Sequence, residues 1–350
     1  MSFQHSLQLY FLLNRKDNRS WRVKIDGNVL ARELKQTWRT SILNMPKKEM
    51  ANVTITQEYF CTIGFEIHQK IVISAFNIPQ SITAFLGNVL IIAALQKVSP
   101  LHSASRLLLG CLAVTDLGVG LITQPIRIAL FMSPEHSKLC YYLTILFETI
   151  GGMFCGVSVL TVTTISVDRL LALTLGLRYR QVVTLRRASV FVVTLWLFIT
   201  VMVLVAFYDF HIAINIAYVI LLLCIGTSTC CYMKIYLKLR HHQTRVQGQT
   251  HQKQPDGQGV ILNIARYRKT VSSALWIQMT LVACYLPYGT VTAFIVISGI
   301  DKPALNLAWA VTMSLLLLNS SLNPLLYCWK MKEVRKAVKD TIKRFGCLPS

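Results

Sequence analysis

Charged side chains are scarce in this chain. Asp, Glu, Lys and Arg supply 15% of its 350 residues, whereas hydrophobic types supply 53%. That leaves too little polar surface for a soluble domain of this size. Period-two alternation is also missing: the apolar runs are continuous, which excludes a membrane barrel built of strands. No stretch repeats, an argument against a transporter assembled from duplicated halves. No His cluster and no nucleophile–base set recurs within the apolar runs, so an enzyme finds no support. A signal-peptide pattern is absent too, because the apolar piece at 7–13 has no basic lead.

What the chain does have is seven apolar runs of about the length that crosses a bilayer as a helix, roughly 20 residues. They fall near 71–95, 107–131, 141–171, 188–208, 212–237, 271–298 and 303–329. The expected fold is all-α, a seven-transmembrane helix bundle. It is framed by an extracellular tail (1–69), the bundle itself (70–329) and a cytoplasmic segment (330–350) that begins with a short amphipathic helix. Residues 1–49 read either as a disordered tail or as an extension upstream of a start at Met45 or Met50. The first span can serve as its own insertion signal.

Acids are the scarcer sign, 15 against 36 bases, for a formal net charge of +21. Such a number suggests nucleic acid, but the distribution argues against it. Of the 26 Lys and Arg from Met50 onward, 22 lie on one side of the bundle, in the connections after spans one, three and five and in the C-terminal segment. This asymmetry places the C-terminus in the cytoplasm and the N-terminus outside, with the basic face attracted to anionic membrane lipids. The connection at 240–265, rich in Gln, His and Gly, reads as a flexible cytoplasmic loop.

Ionisable residues at bilayer depth are costly and therefore informative. Asp116 in span two is either a neutral hydrogen-bonded carboxyl or the anion of a cation site. Ser158 in span three and Asn319, Ser320 and Asn323 in span seven would supply further oxygens. Asn88 is expected to tie spans one, two and seven. Asp168 and Arg169 end span three, as a membrane anchor or as a latch in which the carboxylate holds the guanidinium until a cytoplasmic partner recruits it. Pro287 and Pro324 each remove a helical hydrogen bond; they are either tolerated kinks or, the favoured reading, hinge points in spans six and seven. In the outer half, Arg127 and Glu148 sit at similar depth. A mutual salt bridge is the expected arrangement and ligand contact the alternative. Phe147, Asn215, Tyr285, Tyr288 and Trp309 are available to line a cavity between helices.

Of ten cysteines, only Cys61 and Cys140 sit where an oxidising exterior reaches them, so they are expected to pair. Asn52 opens a glycosylation sequon just outside span one. Cys347 follows the basic amphipathic stretch 330–345, which suits either a membrane-lying helix with a palmitoyl anchor or a plain basic tail.

Taken together, Gly87-Asn88, Leu112-Ala113-Val114-Thr115-Asp116, Asp168-Arg169-Leu170, Trp196, Cys284-Tyr285-Leu286-Pro287 and Asn323-Pro324-Leu325-Leu326-Tyr327 resemble the rhodopsin-like family of G-protein-coupled receptors. The resemblance covers about 71–347. It implies a plasma-membrane receptor without enzymatic chemistry, whose sixth span swings outward when an outer ligand binds. Arg169 then engages a heterotrimeric G protein; arrestin is the other implied cytoplasmic partner. Tyr232 and Tyr327 look like the tyrosines that stabilise the open state. Asp116, Ser158, Asn319 and Asn323 look like the family's site for an allosteric sodium ion; no other cofactor is implied.

The departures carry information. Leu170 replaces the usual Tyr, and Tyr285 replaces the usual Trp in span six. Span five lacks its Pro, and no acid begins span six. The missing acid removes the family's inter-helix ionic lock and implies raised basal activity. The connection between spans four and five, near 207–211, is short and free of cysteine. That feature, with the segment from Gly176 to Thr184, is similar to melanocortin receptors and their lipid- and adenosine-binding relatives. Amine receptors carry an Asp 18 residues before the motif Arg, where this chain has Gly151. Opsins carry a Lys seven residues before the span-seven Pro, where it has Leu317. A peptide, a lipid or a nucleoside remains as ligand. The competing reading is a polytopic ion transporter or channel that uses Asp116 and the polar residues of span seven as its path.

Overall fold

A computed structural model describes residues 61, 64–96, 102–250, 279–295, 297–298, 302–330 and 332–344. The helices are α1 (Ile67–Leu95), α2 (Ser103–Met132), α3 (138–175), α4 (Leu185–Tyr208), α5 (Phe210–Thr250), α6 (described over Met279–Ile295), α7 (Pro303–Lys330) and α8 (Lys332–Arg344). No strand occurs among the described residues. Asn52, Cys347 and the residues that begin span six lie outside them.

The helix ends follow local chemistry. Ser137 caps α3 by accepting from the Cys140 N–H at 3.1 Å, and Thr184 caps α4 through the Arg187 N–H, each satisfying an orphan donor of the first turn. Gly176 adopts φ 54° just past α3, a left-handed conformation that suits glycine and stops a helix. A single residue, Asp209, separates α4 from α5; its carboxylate accepts from the Ile212 N–H at 3.0 Å and starts the next helix at once. The C-terminal end of α5 departs from expectation. The helix continues to Thr250, so the first part of the predicted flexible loop is helical. Nothing before Gly248 interrupts it, and Pro255 comes only later.

Two helices carry a wide π-type turn, Val119–Thr123 in α2 and Phe147–Gly151 in α3. In α2 it directly precedes Pro125, whose missing N–H and bulky ring disturb regular winding. The Ser81 hydroxyl donates to the Gly120 carbonyl there at 2.6 Å. Gly120 permits this approach: a Cβ would stand 2.8 Å from the Ala84 methyl and the Phe85 backbone nitrogen.

Packing places α1 against α2 and α7, and α3 against α2, α4 and α5. Leu112, Ala113, Val119, Leu281, Leu317 and Tyr327 are among the buried core residues. Apolar side chains also cover the outside. Val190, Val193, Leu197, Val201 and Leu204 of α4 are all exposed, which is the expected surface where the solvent is lipid. In α8, Val334, Ala337, Val338 and Thr341 are buried while Arg335, Lys336, Lys339 and Asp340 are exposed. The apolar stripe docks on α1 and α7, so α8 rests on the bundle and turns its charges outward.

Candidate functional site

Three polar layers cross the bundle. At the inner end, Asp168 is buried and accepts from the Ser105 hydroxyl at 2.8 Å and from the Tyr179 hydroxyl at 2.5 Å. Arg169 Nη2 lies 3.4 Å from Oδ2, the oxygen that also accepts from Ser105. The acid therefore holds the arginine while being held itself by α2 and by the turn after α3. Sequence reasoning missed Ser105 and Tyr179, since neither belongs to a local pattern with Asp168 and only the fold brings them there. Nearby, the Tyr232 and Ser166 hydroxyls are 3.1 Å apart. Tyr327 is buried, its hydroxyl has no hydrogen-bond partner, and it lies within electrostatic reach of Tyr232.

In the middle layer, Asp116 is fully buried. Asn323 Nδ2 donates to it at 2.7 Å and the Ser158 hydroxyl at 3.4 Å; the Ser320 hydroxyl is a third donor. Pro324 explains part of this arrangement. Its missing N–H frees the Ser320 carbonyl four residues earlier, and Asn88 Nδ2 fills that vacancy at 3.1 Å. Asn88 thus ties α1 to α7; the expected tie to span two is not made, because its amide hydrogens go to Ser320 and to Ala84 of its own helix. Asn319 Nδ2 and Oδ1, Asn323 Oδ1 and Asn88 Oδ1 are buried without partners. Orphaned acceptors beside a buried carboxylate are what a hard cation or ordered water satisfies. The donor set therefore fits a sodium ion held by Asp116, Ser158, Ser320, Asn319 and Asn323, which would supply positive charge beside the acid.

The outer layer corrects an expectation. Arg127 is 2% exposed and is not paired with Glu148. Its Nη1 donates to Asn77 Oδ1 at 3.2 Å and Ser314 Oγ at 2.9 Å, and its Nη2 to the Ala310 carbonyl at 2.5 Å. The Phe131 ring lies 5.3 Å from the guanidinium carbon. Neutral acceptors on α1 and α7 are nearer than the acid on α3, so Arg127 binds those helices to α2. Glu148 lies exposed on the wide turn of α3, within electrostatic reach of Tyr288 of α6 and of Cys155. The Tyr285 hydroxyl points at the Cys155 carbonyl, 3.5 Å away. Trp309 of α7 is half-buried, and Asn215 is exposed on α5.

At the outer rim, Cys61 and Cys140 are joined with Cα atoms 6.0 Å apart. The bond ties the segment before α1 to the start of α3. Lys70 and Glu135, 2.7 Å apart, bridge α1 to the α2–α3 turn beside it.

Seven apolar helices with a caged carboxylate at mid-depth and an acid–arginine pair at one mouth define a multi-pass membrane protein with a signalling architecture. The chain belongs to the rhodopsin family: the model described as "7 transmembrane receptor (rhodopsin family)" matches residues 87–210 and 207–327. It is similar to melanocortin receptor 4 of Danio rerio, at 23% identity over 282 residues covering 78% of this chain and 84% of the relative. It is also similar to melanocortin receptor 5 of Rattus norvegicus, at 23% over 278 residues, 75% of this chain and 81% of the relative. A third relative is the histamine H2 receptor of Canis lupus familiaris, at 26% over 291 residues, 75% of this chain and 76% of the relative. These relatives are receptors and not enzymes, and the transporter reading is set aside.

Proposed function

We propose that the chain is a plasma-membrane receptor that binds an extracellular ligand and activates a heterotrimeric G protein by outward movement of α6. The observation that carries this reading is the three-way hold on Asp168. An arginine restrained by a carboxylate, which is itself restrained by Ser105 and Tyr179, can be released as a unit. Release frees Arg169 to meet the C-terminal helix of a Gα subunit, with Tyr232 and Tyr327 closing the gap behind it. Leu177, almost fully exposed beside the same mouth, offers an apolar contact. Tyr285 and Pro287 transmit the outer event, the Pro acting as hinge. Glu148, Tyr288, Trp309, Asn215 and, through its hold on α1 and α7, Arg127 shape the ligand cavity. Sodium at Asp116 favours the resting bundle. The N-terminus is extracellular with Asn52 glycosylated; the C-terminal segment is cytoplasmic, with Cys347 as a lipid anchor and arrestin as a second partner. With no acid to begin span six, the Asp168 cluster is the main restraint on basal signalling.

The test is nucleotide exchange on a panel of Gα subunits by the protein in nanodiscs, with and without members of a peptide, lipid and nucleoside library. Intact protein should accelerate exchange on at least one subunit, and Arg169→Ala should reduce that acceleration at least tenfold at equal folding. Absence of acceleration on every subunit, agonist or none, overturns the proposal.

A further inference from the structure

Tyr232 of α5 has more polar neighbours than its one hydroxyl can serve. It is buried, and the Ser166 hydroxyl of α3, itself fully buried, donates to it at 3.1 Å. Arg169 and Tyr327 are both within electrostatic reach of the same ring. Tyr327 is buried too, and its hydroxyl meets no hydrogen-bond partner among the described residues. An unpaired hydroxyl in a dry interior is costly. Tyr327 is therefore a standing alternative partner for Tyr232, and the contact with Ser166 competes against it.

That contact is the middle rung of three between α3 and α5. One turn earlier on α5, the Ser228 hydroxyl donates to Thr163 Oγ1 at 3.5 Å; residues four apart share a helix face. Further along, Lys238 Nζ donates to the Leu173 carbonyl at 3.3 Å, near the end of α3, where helical acceptors run short of donors. The apolar run of α5 contains no proline, so nothing kinks the helix between its rungs. Ser166 is also built to let go. Its hydroxyl donates to the Val162 carbonyl of its own helix at 3.0 Å, so departure of Tyr232 leaves no orphaned group on α3. Breaking the rung costs one neutral hydrogen bond and no further desolvation, a restraint weak enough to be reversible.

We propose that Ser166 is a positioning residue that stores Tyr232 against α3 and so sets the ligand-free activity, with Ser228–Thr163 and Lys238–Leu173 as the flanking rungs of the same lock. This rests on the receptor reading and adds a second restraint beside the Asp168 cluster. While Ser166 is engaged, the Tyr232 hydroxyl is withheld from Tyr327. Once it is released, the two tyrosines meet and the isolation of the Tyr327 hydroxyl ends. The lock joins α3 to α5, so it works without an acid at the start of span six.

Ser166→Ala deletes the donor and leaves the backbone untouched. In nanodiscs, at equal folding, it should raise ligand-free nucleotide exchange on a responsive Gα subunit about fivefold, the usual weight of one neutral hydrogen bond. Ser166→Cys, which fills the site with a poor donor, should behave like the Ala variant. In a Tyr232→Phe background Ser166→Ala should change nothing, because the stored hydroxyl is already gone; a mere packing role would survive that background. A second readout needs no G protein. A ring-fluorinated tyrosine in place of Tyr232 reports its surroundings by fluorine NMR. Ser166→Ala should shift that resonance, and adding Tyr327→Phe should move it again. A resonance unmoved by Ser166→Ala overturns the proposal. So does measurable exchange that Ser166→Ala leaves unchanged, or a rise that persists in the Tyr232→Phe background. Absence of exchange in every variant, with the resonance still answering to Ser166→Ala and Tyr327→Phe, supports the storage of Tyr232 and removes only the signalling reading.

Discussion

Tyr179 reaches Asp168 from outside the helix that carries the acid, and its ring leans on His102 at 4.9 Å. Tyr179→Phe keeps the ring and removes the donor. A hydrogen bond to a charged acceptor contributes about 1.5–3 kcal/mol, so the Phe variant should raise ligand-free nucleotide exchange by roughly tenfold or more; an unchanged basal rate would show that the hydroxyl is no part of the latch. At mid-depth, Asp116→Asn removes the anion and keeps the shape. Native protein should melt higher in sodium chloride than in potassium chloride, by about 1.4 kcal/mol if sodium is present at ten times its dissociation constant, and the Asn variant should show no difference between the salts. Asp116, Asp168 and Arg169 were legible in the sequence because a charge in a hydrophobic run announces itself. Their partners were less so. Ser105 and Tyr179 are ordinary residues on other elements. For Arg127 the charge misled: an acid at equal depth suggested a salt bridge, but the guanidinium turns to amide, hydroxyl and carbonyl oxygens on α1 and α7.

At the scale of the element, hydropathy located the spans because a bilayer demands a fixed apolar length. It was silent on polar flanks, which is why α5 runs on to Thr250. The wide turns in α2 and α3 were illegible, since they arise from packing around Pro125 and between helices and not from a composition. The α1–α2 contact gives them a test. Gly120→Val puts branched atoms against Ala84 and the Phe85 backbone, where even a Cβ would be 2.8 Å from each. Overpacking of this kind costs about 1–3 kcal/mol, so the melting temperature in detergent should fall by several degrees. Gly226→Ala, where a Cβ meets nothing within 4 Å, should leave it unchanged or slightly raised. Equal effects would contradict the close approach of α1 and α2.

At the scale of the molecule, the balance of charges oriented the bundle on paper, and the polar layers distinguish its two ends, with Arg127 bound to α1 and α7 at one and Arg169 held by Asp168 at the other. The bond between Cys61 and Cys140 closes a loop of 79 residues. By loop-closure entropy it stabilises the fold by up to about 4.5 kcal/mol. Cys61→Ser should lower the melting temperature and cell-surface abundance, and mild reduction should do the same to the native protein while leaving the Ser variant unaffected. A native protein insensitive to reduction would remove the bond from the fold's supports.

The one-residue link at Asp209 has a kinetic corollary. One residue spans about 3.5 Å, less than the 8–10 Å between packed helix axes, so this connection cannot fold across the outer mouth as a lid. A ligand arriving on that side does not have to displace this link, so the link does not slow its arrival. Residence time must then come from the contacts themselves, so substitutions of ligand-contacting residues should shorten occupancy far more than they slow arrival.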